Sequence, residues 1–473
     1  MRAMSEPLVK TRFAPSPTGD LHLGNVRTAL FSYLLARHHG GSLLLRVEDT
    51  DATRSSAEAE RNLLQDLRWL SLQWDEGPEV DGDSGPYHQS ARQAIYEHHF
   101  ADLERQGLSY PCFCTPTELE IARKVQLASG RPPRYAGTCA QLTEDQTAAK
   151  RQQGLTASTR FRVPDGEMIE FVDLVRGPQR FASNDIGDFV IRRADGSAAF
   201  FFCNALDDAL MGVTHVLRGE DHLSNTPRQL LLLQALGLRC PGYGHVSLIV
   251  GEDGKPLAKR LGSLSVKNLR ERGYLPSAIN NALARLGHHY EHTGFMDLPQ
   301  LSDSFGTSHL GHAPARFEIK QLDHWQQEAI RHEPDDALWA WLPGDVRETI
   351  STARKPVFLK LVRENVRLPE EARDWAQILF TDSFACSEQA TAALHTASPV
   401  FFTEALRAHT ENPGDFRQFS ETLKAKTGLS GKSLFQPLRA ALTGRLDGPD
   451  LASLYTMIDF DRLQQRLQKH LQK

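Results

Sequence analysis

His22 and Gly24 stand two residues apart, just past the turn Ala14-Pro15-Ser16-Pro17-Thr18-Gly19, where an apolar strand gives way to a helix. A helix N-terminus turns unpaired backbone N–H groups and the positive end of its dipole outward, so phosphate is held there. Gly24 lets a ligand approach the helix, and His22 can donate to a phosphate oxygen. The bland alternative is an ordinary strand-to-helix loop. A second charged segment, Gly254-Lys255-Pro256-Leu257-Ala258-Lys259-Arg260-Leu261-Gly262-Ser263, is either a phosphate-binding loop or a solvated basic turn. The third set is Cys112-Phe113-Cys114, then 24 residues, then Cys139. Three soft ligands point to tetrahedral zinc; the alternative is three buried free thiols.

These groups need elements to place them. Leu8–Phe13 reads as a strand, and Leu21–His38 as a helix with Val26, Leu30, Tyr33 and Leu34 on one face, closed by Gly40 and Gly41. Ser42–Glu48 is strand-like, and Ser56–Leu72 is helical through Leu63, Leu64, Leu67 and Leu70. Strand, helix, strand, helix at this spacing predicts a parallel α/β sheet. From about Tyr110 the pattern breaks into cysteines, Pro132-Pro133 and short polar strands such as Ser158–Val163. Sheet character returns at Ala198–Phe202 and Thr214–Arg218, followed by a helix over Thr226–Leu236 and a strand over His245–Val250. One α/β domain is therefore expected to be split by an insertion. A helix over Ser277–Leu286, capped by Ser277, is expected next, and the chain past Asp335 reads as helical to its end. The expected division is 1–109, 110–197, 198–252, 253–335 and 336–473.

The bulk numbers bound the answer. At 473 residues the chain is too long for one core. Its 40% hydrophobic and 24% charged content is that of a globular protein. No segment reaches the roughly 18 uninterrupted apolar residues of a membrane span. The first residues carry no secretory pattern, and six cysteines suit a reducing compartment, so a cytoplasmic protein without a membrane role is expected. A net charge of −5 does not exclude nucleic acid, which needs a basic track and not a basic average.

The segment Arg12-Phe13-Ala14-Pro15-Ser16-Pro17-Thr18-Gly19-Asp20-Leu21-His22-Leu23-Gly24 closely resembles the signature of class I aminoacyl-tRNA synthetases, in the form typical of bacterial glutamyl-tRNA synthetases. Asn25 departs from the second histidine of the class motif. The likeness continues through Arg46-Val47-Glu48-Asp49-Thr50-Asp51, through 204–221, which resembles the segment lining the amino-acid pocket, and through 436–444 near the end. It implies a Rossmann-like nucleotide-binding domain split by an acceptor-stem-binding domain, then a lysine-loop domain, then an all-helical anticodon-binding region. It implies a glutamate–tRNA ligase that uses ATP with Mg²⁺, has glutamate and tRNA as partners, and works as a monomer. Glutamate activation would require bound tRNA, and the ribose 2′-hydroxyl would be the first acceptor.

Within that resemblance the residues acquire roles. Arg12 and Arg218 supply permanent planar donors for the two carboxylates of glutamate, Glu48 takes the ammonium, and Ala14, Ser16, Phe200 and Asn204 complete the pocket. Taken singly, such charged residues are more often surface ion-pair partners. Many relatives carry tyrosine where this chain has Phe200, so one hydroxyl contact is missing or replaced. ATP falls to Thr18, Gly19, His22, Gly24 and Lys259, with His22, Lys259 and Arg260 in the catalytic role. Pro256 and Ala258 replace the first lysine and the serine of the lysine loop, which keeps a synthetase-derived RNA-binding protein without activity as the alternative. Zinc would be structural, held by Cys112, Cys114, Cys139 and Tyr135; Gln141 stands where some bacterial enzymes have a histidine ligand. RNA contacts are expected from Arg363, Asn365, Lys424, Lys426, Lys432 and Arg439. Ungapped alignment puts Asn365 where strict enzymes use arginine to favour the final C of glutamate anticodons; a shift of two residues would put Arg363 there. A glutaminyl enzyme would end in β-barrels, a truncated glutamylating relative would stop after the lysine loop, and a plain nucleotidylyltransferase would lack the pocket segment.

Overall fold

The computed structural model describes residues 8–50, 55–130, 133–257, 264–381 and 384–471. Contacts divide the chain into two compact units, Met1–Leu269 with Ile279–Leu322 and Arg270–Ala278 with Asp323–Lys473.

The first unit opens with β1 (Lys10–Phe13), α1 (Leu23–His38), β2 (Ser42–Leu45), α2 (Ala57–Trp69) and α3 (Gln93–Arg105). Val26, Leu30 and Leu34 of α1 recur at i, i+4 and are wholly buried. Ser56 caps α2 by accepting from the Ala59 N–H, as its residue type favours. The expected run to Leu72 stops at Trp69, because Ser71 turns the chain with φ 61°. Leu70 and Leu72 still bury, from outside the helix.

The middle of the unit is antiparallel: β3 (Ser109–Cys112), α4 (Pro116–Ala128), α5 (Glu144–Gln152), β4 (Ser158–Phe161), β5 (Met168–Asp173), β6 (Gly177–Ala182), α6 (Ser183–Ile186) and β7 (Phe189–Arg192). β3, β4 and β7 form one three-stranded sheet, and β5–β6 is a separate hairpin. Then come α7 (Phe200–Leu210), β8 (His215–Gly219), α8 (Thr226–Ala235) and β9 (Gly242–Val246). The principal sheet has the order β2-β1-β8-β9, all parallel. It thus joins two strands from before the antiparallel segment to two from after it.

The sheet character expected at Ala198–Phe202 is wrong: Ala199 is a cap and Phe200 begins α7. Local β-propensity from three phenylalanines yields to packing, since Phe202 stacks on Phe100 with ring centroids 4.3 Å apart and Ala205 and Leu206 follow it into the core at helical spacing. The strand expected over His245–Val250 is two: β9 ends at Val246, and β10 (Ile249–Val250) pairs with β11 (Ala315–Arg316). Between them the Ser247 carbonyl accepts from Arg27 and the Leu248 N–H donates to Glu220, so neither is free for a ladder. The helix expected from Ser277 begins at Pro276, whose fixed φ suits a first helical position, so Ser277 lies inside it and is not its cap.

The second unit is helical. Among its described residues no strand is formed, and helices run from Asp335–Trp341 to Phe460–Gln468. No helix among the described residues is long and apolar enough to cross a membrane.

Candidate active site

In the parallel order β2-β1-β8-β9, the chain adds β2 on one side of β1 and β8 with β9 on the other, and at this switch between β1 and β8 a crevice opens beyond the carboxyl ends of the strands. A cavity of about 490 Å³ occupies this place. Arg12, Ala14, Ser16, Thr18, His22, Gly24, Glu48, Phe200, Asn204 and Arg218 all line it. Gly19 does not; it is exposed on the turn. Lys259 and Arg260 lie outside the described residues, as does Ala258, while Pro256 and Leu257 reach the cavity wall.

Each side chain is aimed by its element. Arg12 and Arg218 lie on adjacent strands, one residue before the end of each. Phe200 and Asn204 are one helical turn apart on α7 and face the same way. His22 is the N-cap of α1 and makes no side-chain cap bond; the first turn of α1 holds no acidic residue. This N-terminus therefore presents its dipole to the cavity without a competing internal anion. Phe200 keeps its ring 5.8 Å from that of His222, which also lines the cavity.

Behind the cavity lies a buried ionic network. Arg12 Nε donates to Asp208 Oδ1 at 3.3 Å, and Arg12 Nη1 to the Leu217 carbonyl at 3.1 Å. Arg46 Nη1 donates to the same Asp208 oxygen at 2.7 Å, and Arg46 Nη2 to Glu48 Oε1 at 3.2 Å. Asn204 Nδ2 donates to Glu48 Oε1 at 2.5 Å, and Gln229 fixes the amide orientation by donating to Asn204 Oδ1 at 3.0 Å. Burial pushes the Glu48 carboxyl up, and the nearby Arg46 and Arg12 only partly offset this. For Asp208 the balance reverses: burial would raise it, but Arg12 and Arg46 hold it below its ordinary value. Arg218 donates from Nε to His245 Nε2 at 3.1 Å and from Nη2 to the Thr226 hydroxyl at 2.8 Å. Its Nη1 is buried and has no hydrogen-bond partner among the described residues. Burial lowers the Arg218 guanidinium to about 10, with Tyr243 working the other way, so it remains charged at neutral pH. A buried, charged donor without a partner is costly, and Arg218 is one of the residues that line the cavity.

Sequence reasoning missed Asp208, Arg46 and Asp207. The signal was present: Asp207-Asp208 sits inside the helix Phe200–Leu210, whose other residues except Asn204 are apolar, and paired carboxylates there require buried cationic partners. Asp207 accepts from Arg92 at 2.7 Å, Tyr96 at 2.8 Å and Gln89 at 2.9 Å.

The three cysteines converge. Their Sγ atoms all lie within 4.8 Å of one another, with Cys114 and Cys139 at 3.7 Å. The Tyr135 hydroxyl is 3.4 Å from Cys112 Sγ and 3.5 Å from Cys114 Sγ, and it accepts from the Cys139 N–H at 2.8 Å. A zinc tetrahedron with Zn–S bonds of about 2.3 Å has S–S edges of about 3.8 Å and O–S edges of about 3.5 Å. Arg160 lies over the Tyr135 ring, 3.7 Å from its centroid. Burial pushes the Cys112 thiol up, but hydrogen bonding with Tyr135 and Arg160 more than offsets it and brings the thiol down to about 7.

In the helical unit Lys432 and Arg439 line a second cavity with Phe416, Phe435, Gln436 and Asp450. The other expected RNA contacts do not join them. Lys424 is exposed and lines neither cavity; Lys426 is paired with Glu411 at 2.7 Å. Arg363 is spent on structure, donating to the carbonyls of Ile330, Arg331 and Glu333 and to Asp335. Asn365, the last residue of the helix Lys355–Asn365, bonds only back to the Leu361 carbonyl at 3.1 Å among the described contacts.

Residues 8–324 match the family of class I tRNA synthetases (E and Q), catalytic domain, and residues 336–471 match the anticodon binding domain family. Fold, cavity and family together define a class I tRNA synthetase. The chain is 56% identical to glutamate–tRNA ligase 2 of Nitrosococcus oceani over 98% of both chains. It is also 56% identical to glutamate–tRNA ligase 1 of Methylococcus capsulatus, over 97% of this chain and 98% of that one. The crystal structure of a glutamate tRNA ligase from Elizabethkingia meningosepticum in complex with its amino acid superposes with a TM-score of 0.87 at 28% identity, covering 98% of this chain and 99% of that one. The chain belongs to the glutamate–tRNA ligase family.

Proposed function

We propose that this protein joins L-glutamate to tRNA at the expense of ATP. A carboxylate oxygen of glutamate attacks the α-phosphorus, pyrophosphate leaves, and a ribose hydroxyl at the tRNA 3′ end attacks the activated carbonyl carbon as AMP departs. No protein nucleophile is needed; placement and charge neutralisation lower the barrier. The observation that carries this reading is the single cavity that Arg12, Glu48, Arg218 and the N-terminus of α1 line together. Arg12 and Arg218 take the carboxylates of glutamate, Glu48 and Asn204 its ammonium end, and the α1 terminus with His22 the phosphates of ATP, whose counter-ion is Mg²⁺. Lys259 and Arg260 neutralise the leaving pyrophosphate. In this reading 1–109 and 198–252 form the catalytic domain, 110–197 receives the acceptor stem, 253–335 carries the lysine loop and 336–473 reads the anticodon; the protein acts as a cytoplasmic monomer. ATP–pyrophosphate exchange in the presence of tRNA tests the reading: exchange must appear only with glutamate. Tight tRNA binding with no exchange would instead make the chain an RNA-binding protein.

Zinc is assigned to Cys112, Cys114, Cys139 and Tyr135, supported by three thiols within 4.8 Å of one another and by the Tyr135 hydroxyl 3.4 and 3.5 Å from two of them. It would tie β3 to the loop at Tyr135–Cys139, away from the reacting atoms. Protein purified without added metal is expected to carry about one zinc per chain by elemental analysis, and Cys112→Ala to carry none. Absence of zinc from the native protein returns the cysteines to packing.

For tRNA choice, the base-reading position is assigned to Asn365, supported by the bonds that Arg363 gives to three backbone carbonyls. Asparagine can both donate and accept, whereas arginine presents donors only, so discrimination for a final C over G weakens. Lys432 and Arg439 supply salt-dependent contacts to RNA. Charging of purified glutamate and glutamine tRNAs, side by side at one salt concentration, is expected to differ by less than about a hundredfold, which is about 2.7 kcal/mol. A larger preference for the glutamate tRNA defeats this assignment.

A further inference from the structure

The β5–β6 hairpin belongs to the antiparallel segment, yet its tip reaches the principal sheet. Gly244 of β9 makes room for it: a Cβ there would stand 3.2 Å from Leu174 Cβ and 2.6 Å from Leu217 Cδ2. The tip is held on three sides. The Leu174 N–H donates to the Tyr243 carbonyl at 2.8 Å, the Val175 carbonyl meets His312 Nε2 at 2.7 Å, and Arg176 pairs with Glu220.

This docking buries Asp173, at the end of β5, against His245 of β9. Asp173 Oδ1 accepts from the Val175 and Arg176 N–H groups, both at 2.9 Å, and from the His245 N–H at 3.1 Å. Asp173 Oδ2 is left for His245 Nδ1, at 2.5 Å. Because a carboxylate only accepts, Nδ1 must carry the imidazole proton and Nε2 must be the acceptor. Nε2 faces two groups that can use an acceptor, Arg218 Nε–H and the Thr226 hydroxyl, both at 3.1 Å. Burial lowers His245, with the Asp173 bond opposing, so the ring is neutral at physiological pH. Burial would raise Asp173, but its hydrogen bonds from His245, Arg176 and Val175 hold it ionised.

We infer that Asp173 is a positioning residue for amino-acid binding: by fixing the tautomer of His245, it holds the guanidinium of Arg218 in place on the cavity wall. The inference rests on the reading that Arg218 takes a carboxylate of glutamate. Asp173 touches no substrate; it acts through His245.

The test is Asp173→Asn. The asparagine oxygen can keep all three backbone bonds, while its amide nitrogen, in the place of Oδ2, now donates to Nδ1 and drives the proton to Nε2. Two donors then meet, Arg218 Nε–H and His245 Nε2–H, and Arg218 loses its orientation. KM for glutamate is expected to rise at least tenfold while KM for ATP stays within twofold. In His245→Gln the amide oxygen can accept from Arg218 without help from Asp173, so adding Asp173→Asn to that variant is expected to change the glutamate KM by less than twofold. Nitrogen NMR of isotope-labelled histidine, with His245 assigned by its loss in His245→Gln, reads the tautomer independently of activity: Nδ1–H in the native protein and Nε2–H in Asp173→Asn. An unchanged glutamate KM in Asp173→Asn, an equal rise in the His245→Gln background, or an Nε2–H tautomer in the native protein would overturn the inference. Failure of the underlying reading is distinct: Arg218→Lys would then bind glutamate normally, whatever Asp173 does.

Discussion

Arg218→Ala is expected to lower kcat/KM for glutamate by about a thousandfold or more, equivalent to about 4 kcal/mol, in a protein that still folds. The side chain is held by His245, Thr226 and the face of Tyr243, whose centroid lies 4.9 Å away, and its buried Nη1 has no hydrogen-bond partner among the described residues. Its removal costs the charge-assisted bond to the substrate and leaves a buried carboxylate of that substrate unpaired. ATP binding, assigned under the proposed function to the N-terminus of α1, is expected to change little. Steady-state kinetics with glutamate and ATP varied separately makes the comparison, and near-normal kinetics with glutamate would remove Arg218 from the pocket.

The second large effect is on stability. Asp208 is wholly buried between Arg12 and Arg46. Asp208→Asn keeps the shape and removes the charge, leaving two buried guanidiniums to share Glu48 and Asp207. Breaking a buried network by deleting one partner costs about 3–5 kcal/mol. In scanning calorimetry the transition of the first unit should fall by roughly 5–10 °C. Since Arg12 and Arg46 depress the Asp208 carboxyl, this contribution is present above the carboxyl's unfolded pKa and is lost as pH falls through its lower folded value. The gap between variant and native protein should therefore narrow in acid; a gap that is absent at neutral pH would show the network to be dispensable.

Much of this was legible from residue order alone. The turn at 14–19 followed by His22 and Gly24 located the helix whose N-terminus lines the cavity, because proline, glycine and an abrupt change of hydrophobic period leave few other conformations. The helical end of the chain was legible from its apolar spacing. Phe200 was misplaced because three aromatic residues favour a strand locally, and only packing on Phe100 and Tyr96 decides for a helix. That error hid the i, i+4 relation of Phe200 and Asn204, and with it the meaning of Asp208 two turns along from Phe200. Asp173 and His245 were invisible for a different reason. Seventy-two positions separate them, and nothing in either local sequence announces that the hairpin tip meets β9. Arg363 and Asn365 differ in another way: one-dimensional alignment left two registers open, and no local pattern announced that Arg363 donates to three backbone carbonyls.

The most direct test of the account is transfer of radiolabelled glutamate to tRNA, measured together with AMP release. The account predicts acid-precipitable, base-labile glutamyl-tRNA, formed with one AMP per glutamate and dependent on ATP and Mg²⁺. Bound tRNA with no ester formed at saturating glutamate and ATP would contradict it.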